Sequence, residues 1–366
     1  MPLIAFDARK YNDFGIGTYI RHLIQEFSIM DSSPDFFLFL NPDAHVEIEL
    51  PGGWKSSAVR YGKYSIGELL LFGRTVNSSG ASLFHSPHYT LPVGIRNNSV
   101  VTIHDLIHLR FPQFFSPLQR AYSYGMMYHA IHDSAFVITD SEFTKKDILR
   151  SFRVSEEKIV VIHLGVDAAF FRPPPVSFTE EVRTKFNLRR RYILFAGNAK
   201  PHKGIPVLLR AFRELSRLYS DVDLVFAGGS ANGDTGLQAV GEDHGFEDRV
   251  ISVGHVSEKE LVTLYRSAEM FVLPSLYEGF GLPALEAMAC RTPVVVSDAG
   301  SLPEVVGDAA LVFKSGDSHA LSEAMRSLLD QSQLKKELIE KGEKRARHFS
   351  WQRTAIKTAE IYRRLL

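Results

Sequence analysis

The sequence predicts an α/β protein made of two doubly wound domains, each a parallel sheet with helices on both faces. Three observations predict it. Short apolar runs alternate with helical patterns along most of the chain. Those runs are rich in Val, Ile, Leu and Phe with little polar alternation, as strands buried on both faces must be. The chain also has 366 residues, 45% of them hydrophobic, which is more than one ordinary core holds and enough to fill two.

Leu3-Ile4-Ala5-Phe6 reads as the first buried strand, followed by a glycine turn and a helix from Thr18 to Phe27. Ser99 to Ile103, Ala135 to Thr139 and Ile159 to Ile162 continue the first series of strands. The triple proline Pro173-Pro174-Pro175 then makes a natural linker, since proline cannot continue a helix or join a central strand. The expected division is a first domain over 1–172, a linker over 173–190 and a second domain over 191–349. The second series runs through Tyr192 to Ala196, Asp223 to Ala227, Val250 to Val253, Met270 to Leu273 and Pro293 to Val296. Amphipathic helices at Ile205 to Tyr219 and Glu258 to Ala268 separate its members. The tail from Leu321 is helical with a break near His348 to Trp351, and its last stretch, about 350–366, is long enough to pack back on the first domain. No internal repeat and no low-complexity tract interrupts this plan.

Composition narrows the function. Forty-two basic residues balance 42 acidic ones, so no global field steers the chain to nucleic acid. One cysteine excludes an internal disulfide and favours a reducing compartment. Asp7 interrupts the N-terminal apolar run before a signal-peptide core could form, and no stretch approaches 18 uncharged apolar residues. A cytoplasmic location is expected, with peripheral contact at the inner face of a membrane left open.

Four segments carry the chemistry. The first is PSLYEGFGLPALEAMAC, Pro274 to Cys290, at the carboxyl end of the strand that finishes at Leu273. Ligands bind at that edge of a parallel sheet. Gly279 and Gly281 leave the backbone bare around Phe280, and Pro283 suits the first turn of a helix. A helix N-terminus behind a glycine loop suits an anion. Carboxylates only accept hydrogen bonds and repel phosphate, so Glu278 and Glu286 fit sugar hydroxyls, one a ribose and one a hexose. The second segment, FAGNAKPHKG, places Lys200 and Lys203 at another strand-to-helix junction, where a lysine can neutralise a diphosphate. The third, VVTIHDLIH, puts His104 at the end of a buried strand, able to hydrogen-bond a hydroxyl. His104 and His108 have i, i+4 spacing, but no Glu-bearing zinc signature accompanies them and no metal is expected. The fourth, FGIGTY, lacks the third glycine of a dinucleotide fingerprint, and by itself its Gly15 and Gly17 fit a tight turn. Ser301-Leu302-Pro303-Glu304 matches a helix capping box. The aromatic stretch from Phe111 to Tyr128 is read mostly as core, with the alternative that part of it lines an acceptor site or touches lipid.

The first segment resembles the E-x7-E motif of the family 4 retaining glycosyltransferases of the two-domain GT-B fold, and the stretch from Gly254 to Phe313 is similar to that family throughout. The resemblance implies two Rossmann-like domains facing across a cleft. It implies that Glu286 holds the ribose of a sugar nucleotide, and that Glu278 with Gly279, Phe280, Gly281 and Leu282 holds the transferred sugar and adjoining phosphate. Lys203 would bind the diphosphate and His104 would touch the donor sugar. Gly15, Gly17, Asn198, Lys200 and Val256 complete the implied donor site. Two departures stand out: Asn198 replaces a usual arginine, and Arg291 replaces the glycine that usually follows the helix, which suggests a different helix end.

The resulting expectation is a retaining hexosyltransferase with no resident cofactor or metal. Its substrates would be a nucleotide diphosphate sugar and a glycan or lipid-linked acceptor in surface polysaccharide synthesis. GIGTYIRHL and GNAKPHKG look most like bacterial mannosyltransferases that use GDP-mannose. The alternatives are a UDP-sugar-dependent transferase of the same family, a sugar-nucleotide epimerase or glycosyl phosphorylase of the same fold, and a non-catalytic sugar-nucleotide binder.

Overall fold

The computed structural model describes residues 2–13, 15–31, 33–43, 50–61, 66–229 and 247–366. The chain divides into two compact units, the first comprising Met1–Gly165 with Trp351–Leu366 and the second Val166–Ser350.

The first unit contains strands β1 (Leu3–Asp7), β2 (Asp35–Leu40), β3 (Lys55–Ala58), β4 (Leu83–Ser86), β5 (Asn98–Ile103), β6 (Phe136–Thr139) and β7 (Ile159–Val161). Among the described residues they form one sheet in the order β3-β2-β1-β4-β5-β6-β7, with every pairing parallel. Its helices are α1 (Ile16–Ser28), α2 (Ile66–Asn77), α3 (Ile107–Arg110), α4 (Pro117–Asp133) and α5 (Glu142–Ser151). Caps fix their starts. Ser116 and Gln119 form a capping box on α4, and Ser141 accepts from the Thr144 amide on α5. The core is apolar on both faces of the sheet: Phe84, Val101 and Ile103 are buried on one with Met127 and Ile131 of α4, and Ile4, Phe6, Val100 and Ile138 are buried on the other.

The first α-helix of the second unit is α6 (Val176–Lys185), so most of the segment read as a linker over 173–190 is a helix of this unit. Pro175 is the residue before that helix and fits an N-terminal position, where no amide hydrogen is needed. Then come β8 (Arg191–Ala196), α7 (Ile205–Ser216), β9 (Val222–Ala227), β10 (Val250–Gly254), α8 (Glu258–Ser267), β11 (Met270–Leu273), α9 (Leu282–Ala289), β12 (Val294–Ser297), α10 (Leu302–Val306) and β13 (Leu311–Phe313). The sheet runs β10-β9-β8-β11-β12-β13, again parallel throughout. Its order reverses between β8 and β11, and the loops after these two strands are those singled out by sequence.

The tail is three helices, α11 (Ser318–Asp330), α12 (Ser332–Ala346) and α13 (Trp351–Arg363), with a further break at Gln331. Helix α13 belongs to the first unit. It buries Trp351, Ala355, Ala359, Ile361 and Tyr362 there, and Trp351 stacks on His22 of α1 at 4.6 Å. Among the described residues no helix is long and apolar enough to cross a membrane.

Candidate functional site

In the second unit the loops after β8 and β11 press together, and glycines permit it. A Cβ on Gly204, at φ +71°, would lie 2.0 Å from the Pro274 carbonyl oxygen. One on Gly300, at φ +64°, would lie 2.3 Å from the carbonyl oxygen of Glu278. The Leu276 amide donates to the His202 carbonyl at 2.7 Å, tying one loop to the other. This contact brings Lys203 to Glu278: Nζ donates to Oε1 at 2.7 Å, and the Ser275 hydroxyl donates to the same oxygen at 2.6 Å. The two charged side chains are only 15% and 11% exposed, so their attraction is weakly screened.

The segment between Glu278 and α9 is held from behind. The Ser301 hydroxyl donates to the carbonyls of Glu278 at 3.1 Å and Phe280 at 2.8 Å. It is thereby taken from the capping box expected of Ser301 to Glu304; no side chain caps α10. Phe280 turns inward, edge-on to Phe349 at 5.9 Å. Gly281, at φ +105°, begins α9 with no side-chain cap, and Leu282 opens the helix. A helix start of this kind suits an anion.

Glu286, on α9, has a different setting. Its Oε2 accepts from the Tyr265 hydroxyl of α8 at 3.0 Å. Burial, aided by Glu258 and opposed by the Tyr265 hydrogen bond, pushes the Glu286 carboxyl up to about 7. One carboxylate is thus paired with a lysine, while the other is poised to gain a proton near neutrality. Asn198 uses its side-chain oxygen within its own loop, accepting from the Lys200 amide at 3.3 Å. The Lys200 side chain is exposed, and Val256 is half-buried between β10 and α8. Arg291 occupies the left-handed region at φ +61°. The Thr292 amide bonds the Ala287 carbonyl and the Arg291 amide bonds the Met288 carbonyl, each at 3.0 Å. Helix α9 therefore ends in the left-handed cap usual for glycine, and the altered end suggested by sequence does not occur.

In the first unit His104 comes directly after β5. Its Nδ1 lies 2.6 Å from Asp140 Oδ2, and its Nε2 lies 3.1 Å from the Pro87 carbonyl oxygen. Burial works against a charged ring, but Asp140, with Asp105 and the Pro87 carbonyl adding to it, raises the His104 pKa above the ordinary histidine value. Tyr19 meets the ring edge-on at 5.1 Å. His108 lies on α3 with its ring against Phe115 at 4.2 Å. Gly15 begins α1 at φ +57°, whereas Gly17 is inside that helix, where a Cβ would lie 2.5 Å from the Tyr11 carbonyl oxygen. Gly17 is thus required for the turn after β1 to pack on α1. Phe14, from the same segment, lies outside the described residues. In the aromatic stretch, Met126 and Met127 are core, while Tyr124 and Tyr128 are exposed.

Sequence reasoning missed Ser275, Tyr265, Ser301 and Asp140. Ser275 lies within the first segment and could have been flagged there. The other three partner site residues only through folding and carry no local signal. It also missed the buried Asp7–Arg9–Glu68 cluster beside the turn after β1, in which Arg9 bonds Asp7 through Nε at 2.7 Å and Glu68 through Nη2 at 2.8 Å.

The family model described as Glycosyltransferase Family 4 matches residues 15–170, and that described as Glycosyl transferases group 1 matches residues 177–345. The chain is 31% identical over 285 residues to the O-antigen chain mannosyltransferase B of Escherichia coli, covering 77% of this chain and 74% of that protein. It is 37% identical over 235 residues to the MMP alpha-(1->4)-mannosyltransferase of Mycolicibacterium hassiacum, covering 63% of this chain and 54% of that protein. Among solved structures, Anabaena HepE in complex with UDP and glucose aligns over all of both chains with a TM-score of 0.81 at 17% identity, a likeness of fold. Two parallel doubly wound sheets, the family models along both halves and the likeness to the E. coli enzyme lead to one conclusion: the chain is a hexosyltransferase of the GT-B fold and belongs to glycosyltransferase family 4.

Proposed function

We propose that this enzyme transfers mannose from GDP-mannose to a hydroxyl of a glycan or lipid-linked acceptor, with retention of the anomeric configuration. The observation that carries the donor site is the Lys203–Glu278 pair beside the uncapped start of α9. A cation for the diphosphate and a carboxylate for hexose hydroxyls are thereby joined in one cluster. The choice of mannose is supported by the likeness to the E. coli protein named an O-antigen chain mannosyltransferase. It also suggests surface polysaccharide synthesis as the setting, at the cytoplasmic side of a membrane.

In this scheme the bond from the anomeric carbon to the diphosphate oxygen breaks and a bond to the acceptor oxygen forms on the same face. The acceptor's proton passes to the leaving diphosphate. No separate base is needed, and the protein supplies positioning and charge stabilisation. Lys203 and the α9 N-terminus face the leaving group, Glu278 and His104 orient the sugar, and Glu286 holds the ribose. Gly15 and Gly17 shape a loop near the diphosphate, and Lys200, Asn198 and Val256 border the nucleotide. The scheme uses no metal.

The test is turnover and product mass with a panel of GDP- and UDP-sugars, run with and without EDTA. GDP-mannose should outrank UDP-glucose, and activity should survive chelation. Tighter calorimetric binding of UDP than GDP would overturn the donor choice, and loss of turnover restored only by a divalent ion would overturn the metal-free scheme.

A further inference from the structure

Two histidines of the first unit, one on β4 and one directly after the neighbouring β5, differ in what their nitrogens touch. His85, on β4, contacts two hydroxyls: Tyr362 OH at 2.5 Å from Nδ1 and Thr102 Oγ1 at 2.9 Å from Nε2. A hydroxyl can donate or accept, so a neutral ring is fully satisfied there. His104 contacts a carboxylate and a backbone carbonyl, and both are acceptors. A neutral imidazole has one N–H and cannot serve two acceptors, whereas an imidazolium has two.

Asp140 is placed for this purpose. It comes directly after β6, the strand next to β5, and its side chain is 3% exposed. Its Oδ2 faces His104, while its Oδ1 is buried with no hydrogen-bond partner among the described residues. The backbone under the ring is fixed as well, since Thr144 Oγ1 of α5 donates to the His104 carbonyl at 3.3 Å.

We propose that Asp140 is a positioning residue that holds His104 as an imidazolium, with its Nε2–H resting on the Pro87 carbonyl until an oxygen of the bound donor takes that hydrogen bond. This rests on the reading of His104 as a group that touches the donor sugar. His104 then acts as a charged donor and not as a base, which agrees with a scheme in which the leaving diphosphate takes the acceptor's proton. The other groups around the ring do not replace Asp140. Tyr19 of α1 presents an edge, and Asp105, the adjoining residue, adds a smaller push toward the charged ring than Asp140 while its Oδ1 accepts from the Ile107 amide at 3.0 Å. His85 is pushed down to about 3 by burial and by His104. His88, beside Lys10 at 3.4 Å, is held neutral by burial, then by Lys10, His104 and His108.

The test is histidine ring NMR on the full chain, with the His104 signal assigned through His104→Gln. In the wild type the ring should be charged at pH 7.5. In Asp140→Asn its midpoint should fall by about 1–3 pH units. With a turned-over sugar nucleotide, Asp140→Asn should lower kcat about 10- to 100-fold at pH 7.5 with little change in donor KM, and should recover as pH falls and the ring regains its proton. A neutral His104 in the wild type at pH 7.5 overturns the proposal without any variant. So does an unchanged midpoint in Asp140→Asn, or a pH–rate profile parallel to that of the wild type. A ring that titrates as expected in a protein that turns over no sugar nucleotide supports the pairing and overturns the functional reading instead.

Discussion

Glu286 and Glu278 share a motif but not an electrostatic setting. Because burial raises the Glu286 carboxyl to about 7, its contribution to stability is complete below the ordinary value near 4.5 and is lost as pH rises through 7. Glu286→Gln has no charge to bury. The variant should therefore gain on the wild type between pH 5 and 8, by roughly 1.4 kcal/mol per pH unit at most. Urea unfolding at pH 5, 6.5 and 8 measures this, and a constant difference would contradict it. Ribose hydroxyls favour the ionised carboxylate, so nucleoside diphosphate binding should release a proton near pH 7 and tighten as pH rises, and Glu286→Gln should lose both effects. Calorimetry in buffers of different ionisation enthalpy reads the proton. Glu278→Gln should behave differently. It frees Lys203 for the diphosphate, so nucleotide binding should stay near wild type while transfer slows about 10- to 100-fold. A variant that loses nucleotide binding would reverse the assignment of the two carboxylates.

At the scale of elements, helix ends and close backbone contacts shape the site loops. Arg291 holds a left-handed conformation that costs a residue with a Cβ roughly 1–2 kcal/mol. Its ion pair with Glu343 is on the surface and returns at most about 1 kcal/mol. Glycine at this position adds unfolded-state freedom, which opposes the gain by roughly 0.4–1 kcal/mol. Summed over these ranges, Arg291→Gly should lie between a loss of about 1 kcal/mol and a gain of about 1.6 kcal/mol, centred slightly on the stabilising side, and should leave transfer unaltered. Destabilisation beyond that in thermal unfolding would mean that the Glu343 pair matters more than the backbone. Ser301 shows the complementary effect. Its sequence context suits a helix cap, but a buried hydroxyl serves whichever partners lie nearest, and here those are two carbonyls of the Glu278 loop.

At the scale of the whole molecule, the chain returns its last helix to the unit in which it began. Helix α13 is tied there by Tyr362 to His85, by the Thr354 hydroxyl to the His163 carbonyl at 2.8 Å, and by Asn98 Nδ2 to the Leu365 carbonyl at 3.0 Å. Tyr362→Phe keeps the packing but leaves a buried His85 nitrogen without its partner, a loss of about 1–3 kcal/mol. Denaturant unfolding should show this loss in the first unit with nucleotide binding by the second preserved. A change below 0.5 kcal/mol, taken as roughly the scatter of surface substitutions, would show that His85 finds another partner.

Residues that are neighbours along the chain encode the part of this architecture that can be read without folding it. Buried parallel strands announce themselves as unbroken Val, Ile and Leu runs, so β1, β5, β8, β9 and β11 are legible within a residue or two. The positions of His104, Lys203 and Glu278 just after such strands are legible for the same reason. Lys55 to Ala58 is not, because an edge strand of Lys, Ser and Ala pairs through its backbone and has no apolar pattern to read. The prolines at 173–175 mark a break in the chain, yet a helix begins immediately after them, at Val176. Partners remote in sequence depend on the packed fold alone: Lys203 and Glu278 are 75 residues apart, and His104 and Asp140 are 36 apart. Hydrogen bonds and desolvation depend on distances in space, and only the packed sheets bring those side chains within reach.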